Sequence, residues 1–177
     1  MKDAMIVTGA GQISMAIARR MGYGQKIIMG DKNINNAKAI AEVMNKAGFD
    51  VIPFEMDLDS RKSILNMIDE AKKYGPIMML INGAGVSPSQ ASIDMILKVD
   101  LYGTAVLLEE VGKAIEPGGV GVTISSQSGH RMEQLGEYKD RLLAMTPTEE
   151  LLQLDFLQPH QIKDTLHAYQ LAKRCNE

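Results

Sequence analysis

Hydrophobic positions along this chain follow two alternating spacings. Five short apolar runs are typical of buried strands, and the stretches between them place apolar residues three or four positions apart, as an amphipathic helix does. The five runs are AMIVT (4–8), KIIMG (26–30), VIPFEM (51–56), PIMMLIN (76–82) and GVGVTISS (119–126). This alternation predicts an α/β fold, a doubly wound parallel sheet with helices on both faces in three layers.

Four helices are predicted between these strands. The first, at 12–22, places Ile13, Ile17 and Met21 on one face. The other three are 35–48, closed by Gly48, then 60–75, capped by Ser60 and ended by Gly75, and finally about 92–115. In such a fold, ligands bind beyond the carboxyl ends of the strands.

The rhythm breaks between Gly129 and about Asp164. Within this segment TPTEELLQL predicts a capping box, with Thr146 as the N-cap, Pro147 at the first helical position and Glu149 at the third. We interpret residues 130–164 as a helical insertion before a last helix that runs from near Gln161 to the end. The whole chain, 1–177, is then predicted to be a single domain.

Composition restricts the function further. The chain has 177 residues, 45% of them hydrophobic and 23% charged, which is ordinary for one globular domain. A formal net charge of −3 gives no electrostatic reason to expect binding to nucleic acid or to an anionic membrane. The one cysteine, Cys175, cannot form an internal disulfide, and no signal peptide is evident, so we expect a cytoplasmic protein.

A glycine-containing loop follows the first strand. In TGAGQIS the spacing Gly9-x-Gly11-x-x-Ser14 allows a tight turn and lets backbone N–H groups approach a pyrophosphate at the start of the next helix. Asp31 ends the second strand, where a carboxylate can accept hydrogen bonds from both ribose hydroxyls of NAD and repel the 2′-phosphate of NADP. Together they predict a Rossmann-like nucleotide site that prefers NAD, a preference that Lys32 weakens slightly.

With Tyr169 and Lys173 added, four positions apart near the end, the sequence resembles the short-chain dehydrogenase/reductase family over nearly its whole length. The stretches that carry the resemblance are TGAGQIS (8–14), MDLDS (56–60), INGAG (81–85), KVDLYGT (98–104) and TISSQSG (123–129). Each is weak alone, and their combination in this order is specific.

The resemblance implies a set of cofactor contacts, with Asp57 and Leu58 at the adenine. Asn82 matches the first Asn of the family's NNAG motif, and Gly83 replaces the second. The implied cofactor-binding residues are Gly9, Gly11, Gln12, Ile13, Asp31, Asp57, Leu58, Asn82, Ala84, Gly85, Tyr169 and Lys173. No metal is expected, because His160 and His167 have no Cys or acidic cluster around them.

The chemistry explains the residue types at the end of the chain. Reduction of a carbonyl by a nicotinamide hydride needs a proton donor at the oxygen, and an unperturbed tyrosine, with a pKa of about 10, is a poor proton relay near neutrality. A lysine one helical turn away lies on the same face, and its charge favours the phenolate. Tyr169 is therefore expected to be the general acid in reduction and the general base in oxidation. The resemblance implies that Lys173 bonds the nicotinamide ribose and that Ser126 holds the substrate oxygen.

Two features depart from the family pattern. Asp100 stands where the family has an Asn that helps to bind a water linking the Lys to solvent. Asp100 can still accept from that water and from Lys173, but its charge opposes phenolate formation, so we expect a working relay with a shifted pH optimum. The second departure is the long separation of Ser126 and Tyr169, which holds the helical insertion. We expect this insertion to wall one side of the substrate site or to alter a subunit interface.

Members of the family continue through a sixth and a seventh strand that are missing here. We therefore expect the fifth strand to have an unpaired edge and the last helix, which packs in the main dimer interface of relatives, to be shortened. Both features should expose apolar surface, which favours either self-association into a homo-oligomer or instability.

Three functional hypotheses follow. The first is an oxidoreductase that uses NAD, or less readily NADP, on the alcohol/carbonyl pair of a small molecule. The second is a non-catalytic fragment that holds the adenosine half of NAD, and the third is an interaction module that uses the exposed strand edge. A sugar epimerase shares the Tyr and the Lys, but ISSQSG and NGAG are closer to the dehydrogenases.

Overall fold

The computed structural model describes residues 2–176, which divide into two compact units. Unit 1 is Met1–Ala84 with Leu107–Ile124, and unit 2 is Gly85–Val106 with Ser125–Glu177. Unit 1 contains the strands, and unit 2 consists of helices and connecting loops. None of the helices within residues 2–176 has the length and apolar composition to cross a bilayer.

Unit 1 is built on a five-stranded sheet in the order β3-β2-β1-β4-β5, with every neighbouring pair parallel. The strands are β1 Ala4–Thr8, β2 Lys26–Asp31, β3 Asp50–Glu55, β4 Ile77–Asn82 and β5 Ile115–Thr123. The predicted doubly wound parallel sheet is confirmed, and the first four strands lie within one residue of their predicted bounds. The fifth begins four residues earlier than predicted and ends three residues earlier.

The edge formed by β5 is exposed. Within residues 2–176 this strand pairs only with β4, as expected, and Val120 and Val122 are about half exposed. An edge of this kind presents backbone N–H and C=O groups that can pair with another strand.

The helices of unit 1 begin largely where the sequence indicates. They are α1 Gln12–Met21, α2 Ile34–Lys46 and α3 Arg61–Lys72, with the later part of α5 Thr104–Ala114. Ser60 caps α3 as predicted, its Oγ accepting from the Ser63 N–H, and Gly48 follows α2 with φ +89°. The predicted end of α3 at Gly75 is wrong, since the helix ends at Lys72.

One prediction for α1 needs correction. Of the predicted apolar face, Ile17 packs against the core cluster, whereas Ile13 and Met21 are 60% and 50% exposed. The buried residues of α1 are Ser14 and Ala18. The helix approaches the chain just beyond β4 so closely that the Ser14 Oγ fills the space a Cβ at Gly83 would need. Only small side chains fit on the face of α1 that lies against Gly83.

Unit 2 has more irregular helices. They are α4 Ile93–Ile96, a π-helix Leu97–Gly103, the start of α5, α6 Gln127–His130, α7 Glu137–Met145, three 3₁₀ helices Thr148–Gln153, Asp155–Leu157 and Pro159–Gln161, and α8 Thr165–Cys175. Their shared core contains Leu97, Leu101, Leu151, Leu157, Ile162 and Leu171. Short helical turns thus occupy the predicted insertion at 130–164.

Two predicted helix starts in unit 2 are wrong. Thr146 is the C-cap of α7 instead of an N-cap, because Pro147 is extended and the next turn begins at Thr148. Glu149 closes no capping box, and its carboxylate accepts a hydrogen bond from the Tyr102 hydroxyl (3.0 Å). The last helix begins at Thr165, where Asp164 is the N-cap, and Pro159–Gln161 is a separate turn.

Candidate functional site

The glycine loop of unit 1 leaves the start of α1 open. Gly9 has φ +76°, and a Cβ there would lie 2.7 Å from the backbone of Ala84, so only glycine fits. Gly11 is the N-cap of α1, without a side-chain hydrogen bond, and no atom lies within 4 Å of where its Cβ would be. The first-turn N–H groups, including those of Gln12 and Ile13, are therefore placed to bind an anion.

Ser14 and Gly83 both depart from the family pattern. The third glycine of the nucleotide loop is Ser14, and the second Asn of the NNAG motif is Gly83. The Ser14 Oγ donates to the Thr8 carbonyl (3.2 Å) and occupies the space next to the Gly83 Cα. A side chain at either position excludes one at the other.

Asp31 connects the end of β2 to the glycine loop. Its Oδ2 accepts from the Ala10 N–H (2.8 Å), and its Oδ1 accepts from the Asn33 N–H (2.8 Å). Each carboxylate oxygen can accept a further hydrogen bond. Asp31 thus fixes the loop and keeps acceptor capacity for a ribose.

The neighbouring Lys32 is paired within unit 1. Its Nζ lies 2.7 Å from Asp57 Oδ2, and this hydrogen bond is the main cause that raises the pKa of Lys32. Leu58, the residue after Asp57, is buried. Sequence reasoning did not find this ion pair.

Asn82 and Ala84 are bonded to Thr8. The Thr8 Oγ1 donates to Asn82 Oδ1 (2.7 Å), and the Ala84 N–H donates to Thr8 Oγ1 (3.4 Å). Asn82 is buried, so these bonds hold the ends of β1 and β4 together at the carboxyl edge of the sheet.

In unit 2, Tyr169 and Lys173 lie on α8. Lys173 is only 6% exposed, and its Nζ lies 5.6 Å from the centroid of the Tyr169 ring. Burial lowers the pKa of Lys173, and the Asp100 carboxylate opposes this shift. The sequence predicts that the two residues share one face of a helix, and it makes no prediction about the burial of the lysine.

Asp100 lies in the middle of the π-helix and is fully buried. Its Oδ1 accepts from the Val86 N–H (2.8 Å), and its buried Oδ2 has no hydrogen-bond partner among residues 2–176. Burial raises the pKa of the Asp100 carboxyl, against the Lys173 charge and the Val86 hydrogen bond. Asp100 and Lys173 each stabilise the charge of the other, but burial has the larger effect on the pKa of both.

Gly85 lies next to both Asp100 and Lys173. A Cβ at position 85 would lie 3.1 Å from Asp100 Oδ1 and 3.5 Å from Lys173 Nζ. The first distance is closer than side chains normally tolerate. Glycine therefore leaves room for both charged groups.

Ser126 follows β5 and begins α6. Its Oγ accepts from the Ser128 N–H (3.2 Å), and α6 packs against α8. The preceding Ser125 donates from its Oγ to the Lys173 carbonyl (2.9 Å), which ties this segment to the helix that carries Tyr169.

The structure thus divides the predicted site residues between the units. Unit 2 brings Asp100, Lys173, Tyr169 and Gly85 together and places Ser126 on a helix that packs against α8. Unit 1 holds the remaining predicted cofactor residues, Gly9, Gly11, Gln12, Ile13, Asp31, Asp57, Leu58, Asn82 and Ala84. Across residues 2–176 no group of three or more potential metal ligands is present.

Sequence reasoning missed two contributors. The Val86 N–H is a backbone group, so no side-chain pattern indicates it. Ser125 is the first serine of the TISSQSG stretch, and its position next to Ser126 was the available signal.

Comparison with known proteins agrees with these observations. Residues 3–138 match the family model described as short chain dehydrogenase. A short-chain dehydrogenase/reductase of Alternaria brassicicola is 32% identical over 176 residues, covering 99% of this chain and 64% of that protein. Carbonyl reductase [NADPH] 1 of Macaca fascicularis is 25% identical over 160 residues, covering 83% of this chain and 58% of that protein.

Solved structures share the fold. A double mutant of a Serratia marcescens short-chain dehydrogenase/reductase has a TM-score of 0.70 at 18% identity, covering 97% of this chain and 63% of that one. A 7α-hydroxysteroid dehydrogenase complexed with NADH and 7-oxo glycochenodeoxycholic acid also has a TM-score of 0.70, at 16% identity, covering 97% and 60%. The chain spans about three fifths of the length of the curated relatives it matches.

Proposed function

Because this chain belongs to the short-chain dehydrogenase family, we propose that it acts as an oxidoreductase that uses NAD on the alcohol or carbonyl group of a small molecule. The observation that carries the proposal is the buried Lys173 beside the Tyr169 ring and the buried Asp100. Burying two charged groups is unfavourable unless they are fully bonded, and groups with shifted pKa values concentrate at functional sites.

Each residue of the site has a role in proton transfer. Tyr169 donates its phenolic proton to the substrate oxygen in reduction and accepts it in oxidation. The Lys173 ammonium favours the phenolate that forms, and the Ser126 hydroxyl binds the same substrate oxygen. NAD, when bound, supplies or accepts the hydride.

Asp100 positions Lys173 in this proposal. The Val86 N–H fixes the carboxyl group through Oδ1, so that Oδ2 is left to accept from a water or from Lys173. Because burial raises the pKa of Asp100, a neutral carboxyl is more accessible here than at an exposed Asp. In its neutral form it resembles the Asn that the family pattern has at this position.

The residues of unit 1 fit a dinucleotide. Gly11 leaves open space at the uncapped N-terminus of α1, where a pyrophosphate would accept backbone N–H bonds. Asp31 at the end of β2 has acceptor capacity for the ribose hydroxyls. These residues would hold the adenosine and pyrophosphate parts of the cofactor.

A preference for NAD over NADP rests on two charged residues. Asp31 repels a 2′-phosphate, and Lys32 is bound to Asp57 and so is not available to attract one. Membership of the family does not decide between NAD and NADP, because one relative is a carbonyl reductase [NADPH] and one similar structure contains NADH.

Calorimetric titration with NAD and with NADP tests the nucleotide site. We expect NAD to bind more tightly, and Asp31→Ala to weaken NAD binding by about tenfold or more, since hydrogen bonds to a charged group contribute about 1.5–3 kcal/mol. NADP binding should fall less. The control Asp69→Ala removes an exposed carboxylate of α3 and should change neither affinity. Equal losses for both cofactors would contradict the role of Asp31.

Turnover is tested separately from binding. A chain that binds NAD and shows no activity on any of a panel of alcohols and carbonyl compounds would agree with the alternative, a nucleotide-binding fragment.

We further propose a cytoplasmic location and self-association, the latter supported by the exposed edge of β5.

A further inference from the structure

One cavity in unit 2 is lined by residues that the proposed proton transfer does not use. It has a volume of about 470 Å³ and lies between the loop after α6, helix α7 and the first half of α8. Helix α8 contributes Leu166, His167 and Gln170 to its wall. The last of these follows Tyr169 directly in the sequence.

Three cationic side chains line this cavity, Arg131, Lys139 and Lys163. Within residues 2–176 none of them forms an ion pair. Arg131 donates to Gln127 Oε1, and the Lys139 Nζ lies 5.3 Å from the centroid of the Phe156 ring. These contacts orient two of the cations and do not neutralise their charges.

The acidic side chains of the wall compensate only part of this charge. They are Glu133 and Asp164. Asp164 Oδ1 accepts from the His167 N–H (2.8 Å) as the N-cap of α8, so it is already bonded. With three cations and two carboxylates, the lining keeps an excess of one positive charge.

The remaining wall is partly apolar and supplies one further donor. Met132, Leu135 and Leu166 contribute hydrocarbon surface. His167 Nδ1 accepts from the Lys163 N–H (3.2 Å), which leaves the Nε2–H of the ring as a donor. Hydrocarbon surface combined with cations and a ring N–H donor matches a ligand that has an apolar body and one acidic end.

We propose that this cavity binds the carboxylate of the substrate, and that the substrate is a hydrocarbon acid that carries the reacting alcohol or carbonyl group. The inference rests on the proposed function, which assigns the chemistry to Tyr169. Gln170 and Leu166 lie within one turn of Tyr169 on α8, so an acid seated in the cavity lies along the same helix as the proton donor. The cations bind the carboxylate and Leu166 contacts the hydrocarbon.

The test compares two probes that differ in charge and little in size, 4-phenylbutanoate and 4-phenylbutanamide. Both are titrated into the full chain without NAD, and binding is followed by calorimetry and by NMR shifts of unit 2. We expect the carboxylate to bind at least about threefold more tightly than the amide, with the difference removed at high salt because salt screens exposed charges. Equal affinities would overturn the inference.

Matched variants locate the site. Lys163→Gln and Arg131→Gln should each remove most of the preference for the carboxylate. Arg141→Gln removes a cation of α7 that does not line the cavity and should leave the preference unchanged. An equal loss with Arg141→Gln, or binding of inorganic phosphate as tight as that of 4-phenylbutanoate, would overturn the assignment to an organic acid.

The two proposals can fail independently. A chain that binds NAD and shows no preference for the carboxylate overturns this inference alone. A chain that prefers the carboxylate and binds no NAD overturns the proposed function and leaves the cavity as an acid-binding site.

Discussion

The two units treat their polar groups differently. In unit 1 the charges are paired near the surface, as with Lys26 and Asp50 (2.7 Å), and the buried Thr8 hydroxyl is bonded to Asn82. In unit 2 two ionisable side chains, Asp100 and Lys173, are buried, and burial disfavours the charge of each. The polar groups of unit 1 hold backbone segments in place, whereas Asp100 and Lys173 in unit 2 are held in an environment that is unfavourable for their charges.

The largest expected effect is a loss of turnover when Tyr169 in unit 2 is changed, with the NAD affinity assigned to unit 1 preserved. Tyr169→Phe should lower turnover by about 10²–10⁴-fold, the usual contribution of a general acid or base, while the affinity for NAD changes less than about twofold. Steady-state kinetics and calorimetry on the same preparation measure both. Tyr138→Phe changes an exposed tyrosine of α7 and should affect neither. Retained turnover in Tyr169→Phe would refute the proton-transfer role.

The second prediction tests how well unit 2 excludes water. Burial, with a smaller effect of Asp140, raises the pKa of the Cys175 thiol to about 12 from 9.0. At pH 9 about half of an exposed thiol is ionised, against roughly one part in a thousand for Cys175, so iodoacetamide should react about five hundredfold more slowly.

The unfolded chain is the control for this reaction. In concentrated urea Cys175 should react at the rate of a free thiol. Because its folded pKa is raised, the contribution of Cys175 to stability is fully present below pH 9 and is lost as the pH rises through about 12. Fast reaction in the folded chain at pH 9 would show that α8 opens readily, and the contrast between the units would then need another cause.

The third prediction concerns steric fit in unit 1. Gly83→Ala should lower the free energy of unfolding by about 1–3 kcal/mol, because its Cβ would overlap the Ser14 hydroxyl. Ser14→Gly should restore most of the loss in the double mutant, and chemical denaturation of all four chains measures the coupling.

A second glycine gives the matched control. Gly112 lies inside α5 with open space where a Cβ would be, so Gly112→Ala should raise stability by about 0.5–1 kcal/mol. Additive effects of Gly83→Ala and Ser14→Gly would show that the two residues do not compete for the same space.

The smallest expected effect is a shift of stability with pH. The folded pKa of Asp100 is raised, so its contribution to stability is fully present below its ordinary value of 3.8 and is lost as the pH rises through the folded value. Asp100→Asn should therefore match the natural chain near pH 3 and exceed it at pH 7. Thermal melts would show a rise of about 2–4 °C for each kcal/mol gained.

A surface carboxylate controls for the loss of charge. Asp155→Asn, in an exposed turn of unit 2, should give parallel pH profiles. If Asp100→Asn is less stable than the natural chain at pH 7, the ion pair with Lys173 is net stabilising, and the proposed contrast between the units is wrong for this pair.

Sequence predicts the two units unequally well. In unit 1 the apolar runs, the Ser60 cap and Gly48 are local signals, and they placed four strands within one residue. The exposure of Ile13 and Met21 on α1 was not predicted, because the close approach of Ser14 to Gly83 depends on how helix and sheet pack. Spacing within one helix cannot show that.

In unit 2 the sequence predicted the candidate site residues better than it predicted the secondary structure. Tyr169 and Lys173 do share α8, but the predicted capping box at Thr146 failed because three separate 3₁₀ turns follow α7. Short turns of this kind are stabilised by contacts of Leu151 and Leu157 with distant residues. The burial that shifts the pKa of Asp100 arises from the same long-range packing, so motif spacing alone could not predict it.

The π-helix at Leu97–Gly103 has a consequence for chain length. Each π-turn closes a hydrogen bond over one residue more than an α-turn, so deleting one residue there would let the segment close as α-helix. The residues that flank the segment would keep nearly the same relative rotation, because the seven residues of this π-helix turn about as far around the axis as six residues of an α-helix, roughly 600°. The buried Val106 in α5 would then keep its place, whereas Asp100 inside the segment would move. Single-residue deletions between Leu97 and Gly103 should therefore leave the helix intact and remove Asp100 from its bond with the Val86 N–H, whereas substitutions at the exposed Lys98 should leave that bond unchanged.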